Sequence, residues 1–187
     1  MSDIKWLTNM EAAMTEARRL VKPIFIFFNH PDCAGSKKSA LLTFTNNEVV
    51  SHIERHFVPL NLTTSEEPDM SVAFNVELTP TFIVADEKGK ELERWVGFLP
   101  PQDFIPQMLL SEGLASFHRK RFKDAESAFS RILDMRPESA VAPEARYYLG
   151  VTLYMETGDS EHLARTWETM HRRYPGDAWT KRASAWA

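Results

Sequence analysis

The chain has 187 residues, room for one ordinary domain or two small ones, and its 43% hydrophobic and 26% charged residues describe a globular protein rather than a disordered one. A net charge of -4 gives no electrostatic footprint for nucleic acid, and none is expected as a partner. A single cysteine excludes any disulfide within the chain and fits a reducing compartment, and no run approaches the ~18 apolar residues of a membrane span, so the expectation is a cytoplasmic protein without a membrane partner.

The opening Met1-Ser2-Asp3-Ile4-Lys5-Trp6 has no basic segment followed by an apolar run, and no leader is read there. Thr8 with Glu11 makes a capping-box signature. It stands ahead of Met10, Ala13, Met14, Ala17 and Val21, an apolar stripe at helical spacing that ends before Pro23. Ile24-Phe25-Ile26-Phe27-Phe28 is apolar without alternation, short and rich in strand formers, and predicts a central strand buried on both faces. Asn29-His30-Pro31-Asp32 then forms a turn, with Cys33 at the start of a helix. Asn46 or Asn47 caps a further short helix carrying Val49, Val50 and Ile53. Its His52 and His56, one turn apart, read as solvated surface residues rather than a metal pair. Phe57-Val58-Pro59-Leu60-Asn61-Leu62 reads as a strand, irregular or edge-facing because of Pro59. After a polar loop and a short helix, Thr81–Val84 and Glu93–Val96 flank Glu87-Lys88-Gly89-Lys90, an antiparallel hairpin with glycine in its turn. Pro100-Pro101 opens a helix through Phe104, Ile105, Met108 and Leu109. Residues 1–110 are therefore expected to form an α/β domain, a mixed sheet with helices on both faces.

Residues 111–187 read as helix throughout, and the charge balance changes with them, from 10 basic and 15 acidic groups in residues 1–110 to 12 and 11 here. The basic run His118-Arg119-Lys120-Arg121 reads as a solvated helix face. Phe122, Ala125, Phe129 and Ile132, closed by Pro137, return loosely as Leu163, Trp167 and Met170, closed by Pro175. Gly113 and Gly150 fall in the first helix of each pair. This spacing resembles the tetratricopeptide repeat, whose unit is ~34 residues. The resemblance implies two helical hairpins and a tail helix near Ala178–Ala185, with Trp167, Trp179 and Trp186 as core and capping residues.

The first domain resembles the thioredoxin-like superfamily. A hydrophobic strand runs into Cys33-Ala34-Gly35-Ser36-Lys37, where the family has Cys-x-x-Cys-Lys. Thr79-Pro80-Thr81 follows about 45 residues later, and Gly97 comes after the hairpin. Arg18-Arg19-Leu20-Val21-Lys22-Pro23 and Asn47-Glu48-Val49-Val50 look most like the thioredoxin-related, disulfide-reductase-like branch. The resemblance implies a thioredoxin fold, Cys33 as candidate nucleophile, and Thr79 with a cis Pro80 as the edge that docks a substrate. It also sets Ser36 at the resolving-cysteine position, Asp32 where the family has tryptophan, and Phe27 where it has a buried acid. This makes the domain a Cys-x-x-Ser variant in which ordinary dithiol chemistry is not expected.

A thiol at a helix start is lowered in pKa by unsatisfied N–H groups. Lys37 and Lys38 add positive charge nearby, Asp32 opposes a second anion, and His30 assists if protonated. Two functions follow. In the first, the protein is an interaction or chaperone-like module whose repeats bind a protein partner or client. In the second, Cys33 carries out monothiol exchange that glutathione or another external thiol completes. No cofactor is expected, and the six histidines and one cysteine show no metal-ligand spacing.

Overall fold

The computed structural model describes residues 4–187; residues 1–3, on which part of the leader reading falls, lie outside the described residues. The chain divides into two compact units, one reaching Ile105 and the other Pro106–Ala187.

In the first unit, α1 (Met10–Leu20) leads into β1 (Ile24–Asn29), and α2 (Ala34–Lys38) continues as a π-helical turn (Ser39–Thr43). Then come α3 (Asn47–His56), β2 (Val58–Thr63), α4 (Pro68–Ala73), and the hairpin of β3 (Thr81–Ala85) and β4 (Glu91–Val96). The strands lie in the order β2-β1-β3-β4, with β1 and β2 parallel and the other pairs antiparallel. The mixed sheet expected from residues 1–110 is thus formed by four strands, and β1 is central and buried along its length.

Alternation along the strands builds two cores. Ile24, Ile26 and Phe28 of β1, Leu60 and Leu62 of β2 and Ile83 of β3 pack with Ala13 and Ala17 of α1, and Met70 and Phe74 lie against the same cluster. On the other face the cluster is aromatic. Phe27 stacks on Phe82 at 5.3 Å between ring centroids, and Phe44, Trp95 and Phe104 lie around Phe82. Pro59 sits on the edge strand. Its carbonyl accepts from the Leu7 N–H on the outward side, so its nitrogen, which has no hydrogen, interrupts no bond to β1.

Three local expectations need correction. The N-cap of α1 is Asn9 rather than Thr8: the Asn9 side chain accepts from the Ala12 N–H at 2.9 Å. Val21 is not on the apolar stripe but ends the helix in a left-handed conformation, 90% exposed. His52 is buried at 8% exposure rather than solvated, with its ring stacked on His56 at 4.6 Å and tilted against Phe57.

α5 (Pro101–His118) runs through the division, and Pro106 removes one amide from its ladder. The second unit continues with α6 (Phe122–Met135), α7 (Ala142–Thr157), α8 (Glu161–Arg173), α9 (Ala178–Ala183) and a 3-10 turn. The run His118–Arg121 is exposed, as expected, but only His118 is helical, as the last residue of α5, and Arg119–Arg121 form the turn to α6. Lys120 there takes φ 59° and the Arg121 N–H bonds the Ser116 carbonyl. Among the described residues no helix is long and apolar enough to cross a membrane. Tyr147 stacks on Trp186 at 4.7 Å and lies 5.1 Å from Trp179, which closes the end of this unit.

Two glycines permit close helix approach at matching places. A Cβ on Gly113 would stand 2.4 Å from the Phe129 ring, and one on Gly150 would stand 2.1 Å from the Thr166 hydroxyl. Since Thr166 is itself buried, Gly150→Ala must part α7 from α8. It is expected to lower stability by about 1–3 kcal/mol, read as a lower urea midpoint at unchanged slope.

Candidate functional site

The pairing of β1 with β3 determines which loops meet. Phe28, near the end of β1, stands opposite Thr81 at the start of β3. The loop leaving β1 therefore faces the loop entering β3, and Cys33 reaches Thr79, 46 residues on in sequence.

Cys33 is the N-cap of α2. Its backbone is extended and its sulfur accepts from the Ser36 N–H at 3.5 Å. From the other side the thiol donates to the Thr79 carbonyl at 2.9 Å. The peptide between Thr79 and Pro80 is cis, Pro80 is buried, and the Gly97 N–H holds its carbonyl at 2.9 Å. The sulfur is thus gripped between a helix start and the strand-entry loop while remaining half-buried.

These contacts set its acidity. Burial pushes the Cys33 thiol up, but the hydroxyls of Thr79 and Ser36 and the N–H groups of Ser36 and Gly35 outweigh it, and the pKa falls to about 7. The bond to the Thr79 carbonyl acts in the opposite sense, because a carbonyl can accept only from the neutral thiol; ionisation gives it up. Hydrogen bonds rank ahead of any charge from Lys37 or Asp32 here. With α2 only five residues long, individual N–H groups rather than a long helix dipole do the lowering.

The other residues singled out from sequence have definite places. Ser36 is 5% exposed, and its hydroxyl also accepts from the His30 N–H at 3.3 Å. His30 braces the turn: its Nδ1 accepts from the Asp32 N–H at 3.1 Å and its carbonyl from the Cys33 N–H at 3.0 Å. Lys37 is exposed and contributes its N–H to the Cys33 carbonyl. Phe27, 3% exposed, belongs to the aromatic core. Gly35 is a site residue that the sequence reading passed over. A Cβ there would stand 2.8 Å from Pro80 Cδ and 3.7 Å from the Cys33 sulfur, so glycine lets α2 close on the proline. Its only sequence signal is its place between Cys33 and Ser36. Among the described residues, no three His, Cys, Asp or Glu side chains meet as a metal site would require.

A helix-capping cysteine facing a cis-proline at the edge of a mixed sheet is the arrangement shared by one large family, and the Thioredoxin-like domain family matches residues 10–110. The chain belongs to this thioredoxin-like family. Solved structures agree on the fold. A putative disulphide-isomerase from Bacteroides thetaiotaomicron aligns with TM-score 0.53 at 20% identity, over 58% of this chain and 93% of its own. The oxidoreductase DsbH aligns with TM-score 0.52 at 16% identity, over 59% and 85%. A thioredoxin from Thermus thermophilus gives 0.51 at 19%, over 57% and 85%. Identities this low speak for the fold alone. No curated protein matches the chain.

In this thioredoxin-like unit Ser36→Ala removes a donor to the sulfur and leaves the backbone contact. Its thiolate, followed by ultraviolet absorbance against pH, is expected to appear at higher pH than in the parent, whose midpoint lies at about 7. An unchanged midpoint would mean that the backbone N–H groups alone hold the thiolate.

Proposed function

We propose that the thioredoxin-like unit performs monothiol thiol–disulfide exchange. The observation that carries this reading is the grip on the Cys33 sulfur, which receives hydrogen bonds at the start of α2 and remains half-buried beside the cis Thr79–Pro80 edge. A thiol of pKa about 7 is substantially ionised at neutral pH and still nucleophilic.

In the proposed reaction the Cys33 thiolate attacks one sulfur of a substrate disulfide. The Cys33–substrate S–S bond forms as the substrate's own S–S bond breaks, and the departing thiolate takes a proton from water. Ser36, at the resolving-cysteine position, cannot displace the substrate. A second thiol, glutathione or another of its class, attacks the mixed disulfide, returns Cys33 to the reduced state and leaves joined to the substrate sulfur. Two thiols are consumed and two are released across the pair of steps, with no net oxidant. Thr79 and Pro80 supply the docking edge in this reading, while His30 and Lys37 hold the turn and the helix start through their backbones. Asp32 lies exposed at the rim.

A second reading attaches to the helical unit. Gly113 against Phe129 and Gly150 against Thr166 repeat one contact at the same separation of sixteen residues, which supports a tetratricopeptide-like pair of hairpins. Such a unit would bring a protein partner or client to the exchange domain, the chaperone-like role anticipated from sequence.

The exchange reading is tested by incubating reduced protein with oxidised glutathione or a disulfide-bonded peptide at neutral pH and weighing the product. One adduct per chain is expected, absent in Cys33→Ser and reversed by added thiol. In Ser36→Cys the adduct should collapse to an internal disulfide and fail to accumulate. A parent protein that forms no adduct would remove the reading.

A further inference from the structure

The segment that presents Thr79 begins at the exit of α4, and its tether comes from the far edge of the sheet. α4 ends at Ala73 with Phe74 as its cap, and Asn75 turns the chain away with φ 48°. Asn75, Glu77 and Leu78 are exposed, and in the stretch between the helix and the cis-proline Val76 is the side chain that packs on the core, its N–H bonded to the Ser71 carbonyl at 2.8 Å. Arg94 of β4 adds a hold from across the sheet. Its Nη2 donates to the Phe74 carbonyl at 2.7 Å and its Nη1 to the Asn75 carbonyl at 3.4 Å. These are carbonyls that the helix end leaves without intrahelical partners.

The sheet is shaped to allow this. Arg94 pairs with Ile83 and so shares its face, the one packed under α1 and α4. The pairing then shifts between Val84 and Ala85, so that Leu92 is the extra residue of a bulge and Glu91 stands opposite Ala85. Ile83 and Ala85 lie on one face, hence Glu91 and Arg94 do as well, although three residues apart would ordinarily put them on opposite faces. The Glu91 carboxylate accepts from Arg94 Nε at 2.6 Å and also from Nη2. The fork is thereby aimed at the two backbone carbonyls.

We infer that Arg94, aimed by Glu91 across the β4 bulge, is a positioning residue for the reactive cysteine: it clamps the α4 exit and so holds Thr79 against the Cys33 sulfur. The assignment rests on the exchange reading for its purpose, but not for its test. Alkylation of Cys33 by iodoacetamide needs no disulfide partner. It follows the thiolate whether or not the protein performs exchange.

The experiment measures iodoacetamide rate against pH, together with the thermal midpoint, on the full chain. Arg94→Met keeps the stem and loses the fork, so the Thr79 hydroxyl that favours the thiolate is no longer held at the sulfur; alkylation at pH 7 is expected to slow by roughly threefold or more, with the profile displaced to higher pH. Arg94→Lys, which can still donate to one carbonyl, is expected to recover part of the loss. Val58→Ala, at the opposite end of the sheet, supplies a comparable fall in midpoint without touching the segment, and its profile should match the parent. Should Arg94→Met not fold, Arg94→Gln carries the same expectation. A displaced profile that Lys partly restores supports the assignment. A parental profile in the Arg94 variants, or an equal displacement in Val58→Ala, overturns it. Adduct formation with oxidised glutathione is followed in parallel, so a failure of exchange in the parent is distinguished from a failure of the clamp.

Discussion

The antiparallel register of β1 against β3 is the constraint on which the site depends. By setting Phe28 opposite Thr81 it brings the loop that leaves one strand to the loop that enters the other, and the Cys33 sulfur meets Thr79 across that junction. Two buried layers hold the register. On one face Ile24, Ile26 and Phe28 interlock with Ile83 under α1, and on the other Phe27 lies over Phe82. A one-residue slip would exchange the two faces, so the cores oppose it and the thiol inherits a fixed neighbour. Gly35 then allows the start of α2 to close against Pro80, where any side chain would hold them apart.

Much of this was legible in the sequence, for reasons that differ from element to element. Ile24–Phe28 declared a buried strand through its unbroken apolar run. Glu87–Lys90 declared a turn, in which Gly89 takes φ 80°. Cys33 and Pro80 could be related because they sit within recognisable motifs. What could not be read was whatever depends on contacts between distant residues. Thr8 and Asn9 are both good caps, and only the path of the chain chose Asn9. His52 looked like a surface residue because nothing in its spacing revealed that its ring would be covered. The N–H groups of a helix start and the nearby lysines were legible as sources of thiol acidity, but the hydroxyls of Ser36 and Thr79 were not, because only the fold brings them to the sulfur. Glu91 and Arg94 gave no signal, because a bulge at Leu92 is what puts them on one face.

The surroundings of Cys33 also give Ser36 a structural part of its own. Its hydroxyl lies buried between the His30 amide and the sulfur, so the serine keeps the local hydrogen-bond pattern while withholding the second thiol. Phe27 lies in the aromatic core, packed against Phe44 and Phe82. The site stabilises one thiolate, and on the proposed reading the second half of an exchange falls to another molecule.

The most direct test of this account is the count of thiols released when the reduced protein meets an excess of a chromogenic disulfide at neutral pH. The account predicts a rapid burst of one leaving thiol per chain, with a rate that rises through pH of about 7. No further release should follow until an external thiol is added, after which turnover begins. Absence of the burst, or continued turnover of the disulfide with no added thiol, would contradict it.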